Sequence, residues 1–338
     1  MDELDELHLT VVVDNETDTL SSIDNAVQSS EASGLVERLE PTSVVDGHPS
    51  TTVFGHLCCA CHGYSVLATG RVGDEARTVL FDVGPYADVW LANADRLGLD
   101  LPAIETIFLS HWHWDHSGAL PEVAAAIAAA RRTSGLPPPV LHLHPDRPDQ
   151  RGTMLPDGRV LLLPPEPTLD ELMASGAEVI LQGNEHGLAG GWFHASGQIP
   201  RRTAFETGLA GHGSIYDGRF EPDPLILDER YVTAQVAGRG VTVLSACSHA
   251  GIVNVAADAA DRVDRPLDLL LGGYHLAGKA MEERIPDTVA ALVELGPQLI
   301  GPGHCTGWRA KGALAEVFAP SGRYAPSVVG TRYRLSRP

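Results

Sequence analysis

Four side chains able to ligate a metal fall within six positions of one another. The stretch Ser110-His111-Trp112-His113-Trp114-Asp115-His116-Ser117-Gly118 holds two imidazoles two residues apart, then a carboxylate and a third imidazole. In an extended or tightly turning backbone, residues two apart point the same way, so His111 and His113 can grip one ion. Asp115 and His116 come after the bend and can reach a second ion ~3.5–4 Å away, the separation of two-metal sites. Imidazoles with one carboxylate suit zinc, and manganese or iron less specifically. A polar loop with incidental histidines is the plainer reading, but four donors at this spacing weigh against it. One such motif supplies too few ligands to close two sites. His249, His275 and His304 each stand just after an apolar stretch: Val241 to Ala246, Leu267 to Leu271, and Leu299-Ile300. A lone histidine is usually structural. Three in succession after strands shift that balance, because the loops at the carboxyl ends of strands converge on one rim. His249 and His304 are the expected ligands, and His275 is expected to contact substrate or to back a ligand.

The elements that must position these groups alternate between strand and helix. Leu7 to Val13, Tyr64 to Ala68, Thr78 to Val83 and Ile104 to Ser110 are apolar, largely β-branched stretches and read as strands. Ala87 to Leu97 has helical spacing and ends at Gly98, and Ala119 to Arg132 is an alanine-rich helix closed by Gly135. Leu169 to Ala174 reads as a brief helix and Val179 to Leu181 as a strand. Tyr231 to Ala237 and Val241 to Ala246 read as a hairpin across Gly238-Arg239-Gly240. Three strand–helix units follow, with helices over Val253 to Val263, Ile285 to Leu295 and Gly312 to Phe318. Asn15 to Ser50 is polar, with a short helix expected over Ser33 to Leu39, and reads as an inserted or mobile segment. Nine prolines interrupt Pro137 to Pro167, which reads as loops and edge strands, and Gly183 to Gly218 reads as a glycine-rich functional loop. Two halves, each of several strands followed by helices, suit two sheets packed face to face with helices outside.

Composition removes several classes. The chain has 338 residues, 24 Lys+Arg against 44 Asp+Glu, and a formal charge of −20. Such an acidic chain is a poor partner for nucleic acid or an anionic membrane surface. Its longest apolar run, Val123 to Ala130, is far short of the ~20 residues of a membrane helix. The start Met1-Asp2-Glu3-Leu4-Asp5-Glu6 lacks a basic and then apolar leader, so a cytoplasmic protein is expected. Five cysteines suit a reduced compartment better than a disulfide framework. Cys58-Cys59-Ala60-Cys61-His62 matches the haem attachment pattern, yet small residues entering a strand explain it better. His142 and His144 alternate on one strand and read as structural, because no nearby carboxylate completes them.

With Leu80-Phe81-Asp82-Val83-Gly84 before it, the Ser-His-x-His-x-Asp-His run resembles the metallo-β-lactamase superfamily. Further phrases are His62-Gly63-Tyr64-Ser65, Ile199-Pro200-Arg201-Arg202-Thr203 with Phe205-Glu206, and Cys247-Ser248-His249-Ala250-Gly251-Ile252-Val253-Asn254. With Gly272-Gly273-Tyr274-His275-Leu276 and Gly301-Pro302-Gly303-His304-Cys305-Thr306-Gly307, they resemble the branch of the dihydropterin ribofuranosylaminobenzene phosphate synthase of methanopterin biosynthesis. Many members of that branch are called simply metal-dependent hydrolases. The resemblance implies an α/β fold, an αββα four-layer sandwich of two mixed sheets, as one domain over residues 1–338. It implies His111, His113 and His249 on one ion, Asp115, His116 and His304 on a second, and Asp82 as the carboxylate that steadies the ligand loop. Many superfamily members place a bridging aspartate where this chain reads Ser245-Ala246-Cys247-Ser248. Cys247 ligating, Asp228 swinging in, water filling the place, or a one-metal site are the alternatives.

The resemblance and the ligand set lead to a zinc-dependent hydrolase of a phosphate, phosphodiester or ester bond in a small, anionic or phosphorylated substrate. A divalent ion lowers the pKa of its water to about 7 and so yields hydroxide at neutral pH. Asp115 is expected to orient the nucleophile and His275 to act beside it. Arg201 and Arg202 are candidates for holding phosphate or carboxylate, against the reading of solvated loop arginines, and His62, His186, His194 and Trp192 for lining the pocket. A second reading is transfer, joining a pterin methyl diphosphate to an aminobenzene riboside phosphate. A third is a non-catalytic metal- or ligand-binding regulator. Self-association stays open.

Overall fold

Alternation of buried and half-exposed residues builds the first strand, β1 (Glu6–Val13), which turns Leu7, Leu9 and Val11 to one face. The computed structural model describes residues 2–23, 25–31 and 38–338. The short helix expected over Ser33 to Leu39 lies outside them, save for Arg38 and Leu39. Around β1 grows a mixed sheet of eight strands. In chain order they are β1, β2 (Gln28–Ser29), β5 (Ser65–Val72), β6 (Glu75–Phe81), β7 (Ile104–Phe108), β8 (Val140–Leu143), β11 (Glu178–Leu181) and β20 (Arg332–Ser336). Their spatial order is β11-β8-β7-β6-β5-β1-β20-β2, with β6, β7, β8 and β11 parallel. The second sheet runs β12 (His186–Leu188), β13 (Phe193–Ala195), β16 (Val232–Gln235), β17 (Val241–Ser245), β18 (Leu267–Gly273) and β19 (Leu299–Gly303), the last three parallel. A small antiparallel sheet joins β9 (Gln150–Met154) and β10 (Val160–Leu162) to β14 (His212–Tyr216) and β15 (Arg219–Pro222). β3 (Ser43–Val45) and β4 (His48–Ser50) form a hairpin.

The two large sheets face each other across one apolar layer. Leu7, Leu9, Val66 and Phe81 from the first meet Phe193, Val232, Leu244 and Leu269 from the second. The outer face of the first sheet is covered by the helices Ala87–Leu97 and Leu120–Thr133. In the former, Trp90, Ala94 and Leu97 recur at helical spacing on the buried side, and Gly98 closes it at φ 65°. Ile252–Val263, Ile285–Leu295 and Trp308–Phe318 cover the second sheet. This is the αββα sandwich. Among the described residues no helix is long and apolar enough to cross a membrane.

Two expectations change. The last helix starts at Trp308 rather than Gly312, one turn earlier, capped by Gly307 in a conformation (φ 77°, ψ 149°) that glycine adopts freely. The glycine-rich region 183–218, read as loop, supplies β14, which pairs with β9 of the small sheet, while the strand expected near Val160 to Leu163 forms as β10.

The parallel strands deliver the chemistry to one edge. β6 ends at Asp82, β7 at the histidine run, and β17, β18 and β19 at His249, His275 and His304. Close strand approach there demands glycine: a Cβ on Gly272 (φ +136°) would lie 1.7 Å from the Ser245 carbonyl oxygen.

Candidate metal centre

Three imidazole nitrogens meet at the strand edge. His111 Nε2 lies 2.9 Å from His113 Nδ1, and His249 Nε2 lies 3.2 and 3.1 Å from these two. All three rings are buried, and burial first, then the neighbouring positive charge, holds each well below the usual imidazole range, so they are neutral. The surrounding hydrogen bonds assign their tautomers. Ser110 Oγ donates to Asp82 Oδ2 at 2.7 Å, so it accepts from His111 Nδ1–H at 2.8 Å and leaves His111 Nε2 bare. His212 Nδ1–H donates to the Asp223 carbonyl at 2.7 Å, so its Nε2 accepts from His113 Nε2–H at 2.9 Å and leaves His113 Nδ1 bare. Lone pairs at this separation repel unless a cation sits among them. A tetrahedral zinc with ~2.05 Å bonds separates its nitrogens by about 3.3 Å, close to the spacing here. His249 Nδ1 is buried without a hydrogen-bond partner, and Nε2 is the nitrogen this ring turns to the other two.

A second cluster surrounds Asp115 Oδ2. His304 Nε2 lies 3.4 Å from it, His116 Nε2 3.6 Å and His62 Nε2 3.3 Å. His116 Nδ1–H donates to Asp82 Oδ2 at 2.8 Å, and His304 Nδ1–H donates to Asn15 Oδ1 at 2.9 Å, so both Nε2 atoms face the carboxylate. Burial opposes charge on His116, but the Asp115 and Asp82 carboxylates outweigh it and push its pKa up to about 9. Asp115 is held well below the carboxylate range against its burial by His116, His304 and His62. His62 differs from the other two. Asn15 Nδ2 donates to its Nδ1 at 3.0 Å, so its Nε2–H points at Asp115 as a donor and not as a ligand.

The loops carrying these groups are tied down by buried acids. Glu229 accepts from the backbone N–H groups of His249 and Ala250, both at 2.7 Å. Asp14 accepts from His304 N at 2.8 Å, and a Cβ on Gly303 would lie 2.4 Å from that carboxylate. Asp228 accepts from Trp112 N at 2.7 Å and from Arg151 at 2.6 Å. Of the alternatives for the bridging place, Asp228 swinging in is therefore not what the structure has: a buried guanidinium holds that carboxylate behind the ligands, beneath the histidine loop.

Cys247 stands nearest the place of that missing aspartate. Its Sγ lies 3.3 Å from His116 Nε2 and 3.4 Å from Cys305 Sγ. Burial and Cys305 push the Cys247 thiol up, whereas Cys247, His304 and His275 hold Cys305 below the thiol range against its burial. The His275 ring packs tilted against that of His249, with 4.3 Å between ring centroids.

Both clusters open on a cavity of about 580 Å³, walled by Tyr86, Trp114, Leu163, Pro164, Leu209 and Trp308, with no lysine or arginine among its lining. Arg201 and Arg202 are thereby corrected. Arg201 is spent on the carbonyls of His249 and Leu225, and Arg202 on Asp261 of the outer helix. His186 bonds His142 at 3.0 Å, and neither it, His194 nor Trp192 lines this cavity. Cys58 is buried and Cys59 exposed, and all five cysteines are free.

Residues 60–203 match the model of the metallo-beta-lactamase superfamily. That stretch carries the histidine run and the strands on either side of it. The chain is similar to the 7,8-dihydropterin-6-methyl-4-(beta-D-ribofuranosyl)-aminobenzene-5'-phosphate synthase of Methanocaldococcus jannaschii, at 28% identity over 76% of this chain and 85% of the relative. Among solved structures it is similar to Tm1679, described as a metal-dependent hydrolase of the beta-lactamase superfamily, with a TM-score of 0.68 and 21% identity over 98% of this chain and 100% of the other. The fold protein YhfI of Bacillus subtilis gives a TM-score of 0.48 at 11% identity, over 98% and 100%.

Asn15, His212, Glu229 and Arg151 escaped the sequence reading. Asn15 carried a usable signal, since it follows β1 as the other site residues follow their strands. His212 lay in a region read as loop, although β14 carries it.

Proposed function

We propose that this protein is a zinc-dependent enzyme that hydrolyses a phosphate, phosphodiester or ester bond in a small substrate with a flat apolar part. One observation carries the reading: bare nitrogens of His111 and His113 converge with His249 Nε2 beside the Asp115 cluster, at the floor of an aromatic-walled cavity. His111, His113 and His249 would hold one ion, and Asp115, His116 and His304 a second. Bound there, the ions would supply Lewis acidity and ease the ionisation of water.

The chain's own residues do the rest. Asp115, kept ionised, accepts a hydrogen bond from the attacking water and orients it. His62 Nε2–H restrains that carboxylate at the cavity mouth. Tyr86 packs edge-on against Trp114 at 5.1 Å, a rigid wall for a planar group. His275 faces the cavity beside His249.

The similarity to the methanogen synthase favours a second reading, transfer. There the C–O bond of a pterin methyl diphosphate breaks, a C–N bond to an arylamine forms, diphosphate departs and the amine proton passes to a site base. Metal-replete protein is offered generic phosphoesters, esters and lactones, and separately a pterin methyl diphosphate with and without an arylamine. Turnover of the first panel supports hydrolysis, and diphosphate release that requires the amine supports transfer. Stoichiometric binding without turnover of any of them overturns both and leaves a regulator.

A further inference from the structure

The metal centre described so far leaves three donors unused on its inner side: Cys247, His275 and Cys305. They come from the ends of three adjacent parallel strands, β17, β18 and β19, so one sheet edge fixes their relation. Their ligand atoms all lie within 4.8 Å of one another. The two sulfurs are 3.4 Å apart. His275 Nδ1 is buried and has no hydrogen-bond partner. His275 and His304, which precedes Cys305, both hold left-handed backbone at φ 45° and 44°, a conformation costly for a non-glycine residue and kept where the surroundings demand it.

We infer that Cys247, His275 and Cys305 form a separate thiolate-rich site for one soft divalent cation, zinc or cadmium, distinct from the all-histidine cluster. Distances decide between this and a disulfide. Two thiolates on a tetrahedral zinc with ~2.3 Å bonds stand about 3.8 Å apart, whereas a disulfide needs about 2.05 Å. The observed 3.4 Å lies near the first value and far from the second. Two thiolates and an imidazole select soft cations over magnesium or calcium. Thiolate, not thiol, ligates, so binding releases whatever proton the pair still carries. Both sulfurs and His275 also line the cavity, so a fourth position faces the substrate space.

The inference rests on this chain's binding a metal but not on what it hydrolyses or transfers, so it is tested without turnover. Metal-free, reduced full-length protein is titrated with Cd2+ while ultraviolet thiolate-to-metal absorption and total bound metal are recorded. The expected result is one equivalent that develops the absorption of two thiolates. Cys305→Ser is expected to lose most of that band and one equivalent. His275→Gln weakens the same phase at least tenfold. His113→Ala leaves the band and loses a spectrally silent equivalent instead. A wild-type protein without a thiolate band, or a band that survives Cys305→Ser, overturns the inference. Should Cys305→Ser not fold, His275→Gln decides it: an unchanged thiolate phase in that variant also overturns the inference. A lost silent phase with the band intact in wild type would refute the histidine centre alone.

Discussion

Asp82 is the residue on which both histidine clusters turn, and Asp82→Asn tests the tautomer argument directly. The carboxylate accepts from Ser110 N at 2.7 Å through Oδ1, and from Ser110 Oγ at 2.7 Å and His116 Nδ1 at 2.8 Å through Oδ2. Asparagine keeps the shape and tolerates the residue's φ of 54°. It has only one oxygen. With that oxygen on Ser110 N, the amide donates where Oδ2 accepted. Ser110 then turns its hydroxyl toward His111 Nδ1, and the His111 proton moves to Nε2, into the cluster. His116 is forced the same way. The opposite flip sets an amide N–H against a backbone N–H, at a cost of about 1–3 kcal/mol. Loss of such an outer partner typically costs 10–100-fold in metal affinity, or about 1.4–2.7 kcal/mol per ligand. Competition of the metal-free protein with a chromophoric chelator is therefore expected to show both ions weakened at least ~10-fold. Ser110→Ala, which removes only the His111 arm, should weaken one. If Asp82→Asn binds metal within about twofold of the wild type, well below the 10-fold minimum, the assigned tautomers are wrong.

The remaining predictions concern residues behind the site. His212→Phe removes the acceptor of His113 Nε2–H and should cost roughly 10-fold in affinity of the first ion, read by the same competition. Arg151→Met strands the buried Asp228 carboxylate and should destabilise the fold by about 3–5 kcal/mol in urea unfolding, since Arg151 Nη2 lies 2.6 Å from it. Glu166 is pushed up to about 7 by burial, against the Ser117 hydroxyl and Arg151. Its folded pKa exceeds its unfolded one, so the native state binds the extra proton, and stability should fall as pH rises from about 4.5 to about 7, by on the order of 3 kcal/mol. Glu166→Gln should remove that slope, and a wild-type slope that survives the substitution refutes the assignment.

How much of this was legible in the sequence depended on how locally each feature is encoded. The histidine run is local: a short apolar strand, a bend and a helix start set His111, His113, Asp115 and His116 without help from afar. His249, His275 and His304 were legible because parallel strands end on one rim, a rule of topology rather than of propensity. The helices over Ala87–Leu97 and Ile285–Leu295 follow from periodicity and a glycine stop. What escaped was encoded at long range. The partnership of His113 with His212 spans 99 positions and that of His304 with Asn15 spans 289. Arg201 and Arg202 look like anion binders in sequence because a guanidinium advertises charge but not direction. In the fold one meets carbonyls and the other a surface aspartate. Of the small sheet only the strand near Val160 to Leu163 was legible, because the other strands are short and stabilised only by pairing with one another.

The charge distribution then constrains how any anionic substrate would bind. The chain carries −20, and its cavity is lined by Glu16 and Asp115 but by no lysine or arginine. The arginines nearest the site, Arg151, Arg201 and Arg230, are spent beneath it on carboxylates and carbonyls. Without cations the cavity therefore meets a phosphate with two carboxylates and only histidines against them, and each divalent ion bound makes the local field more positive. Under the proposed function, recognition and catalysis are not separable here. The aromatic wall can hold the flat part of a substrate in metal-free protein, while the charged part is held only through the ions that His111, His113 and His249 and their neighbours would carry.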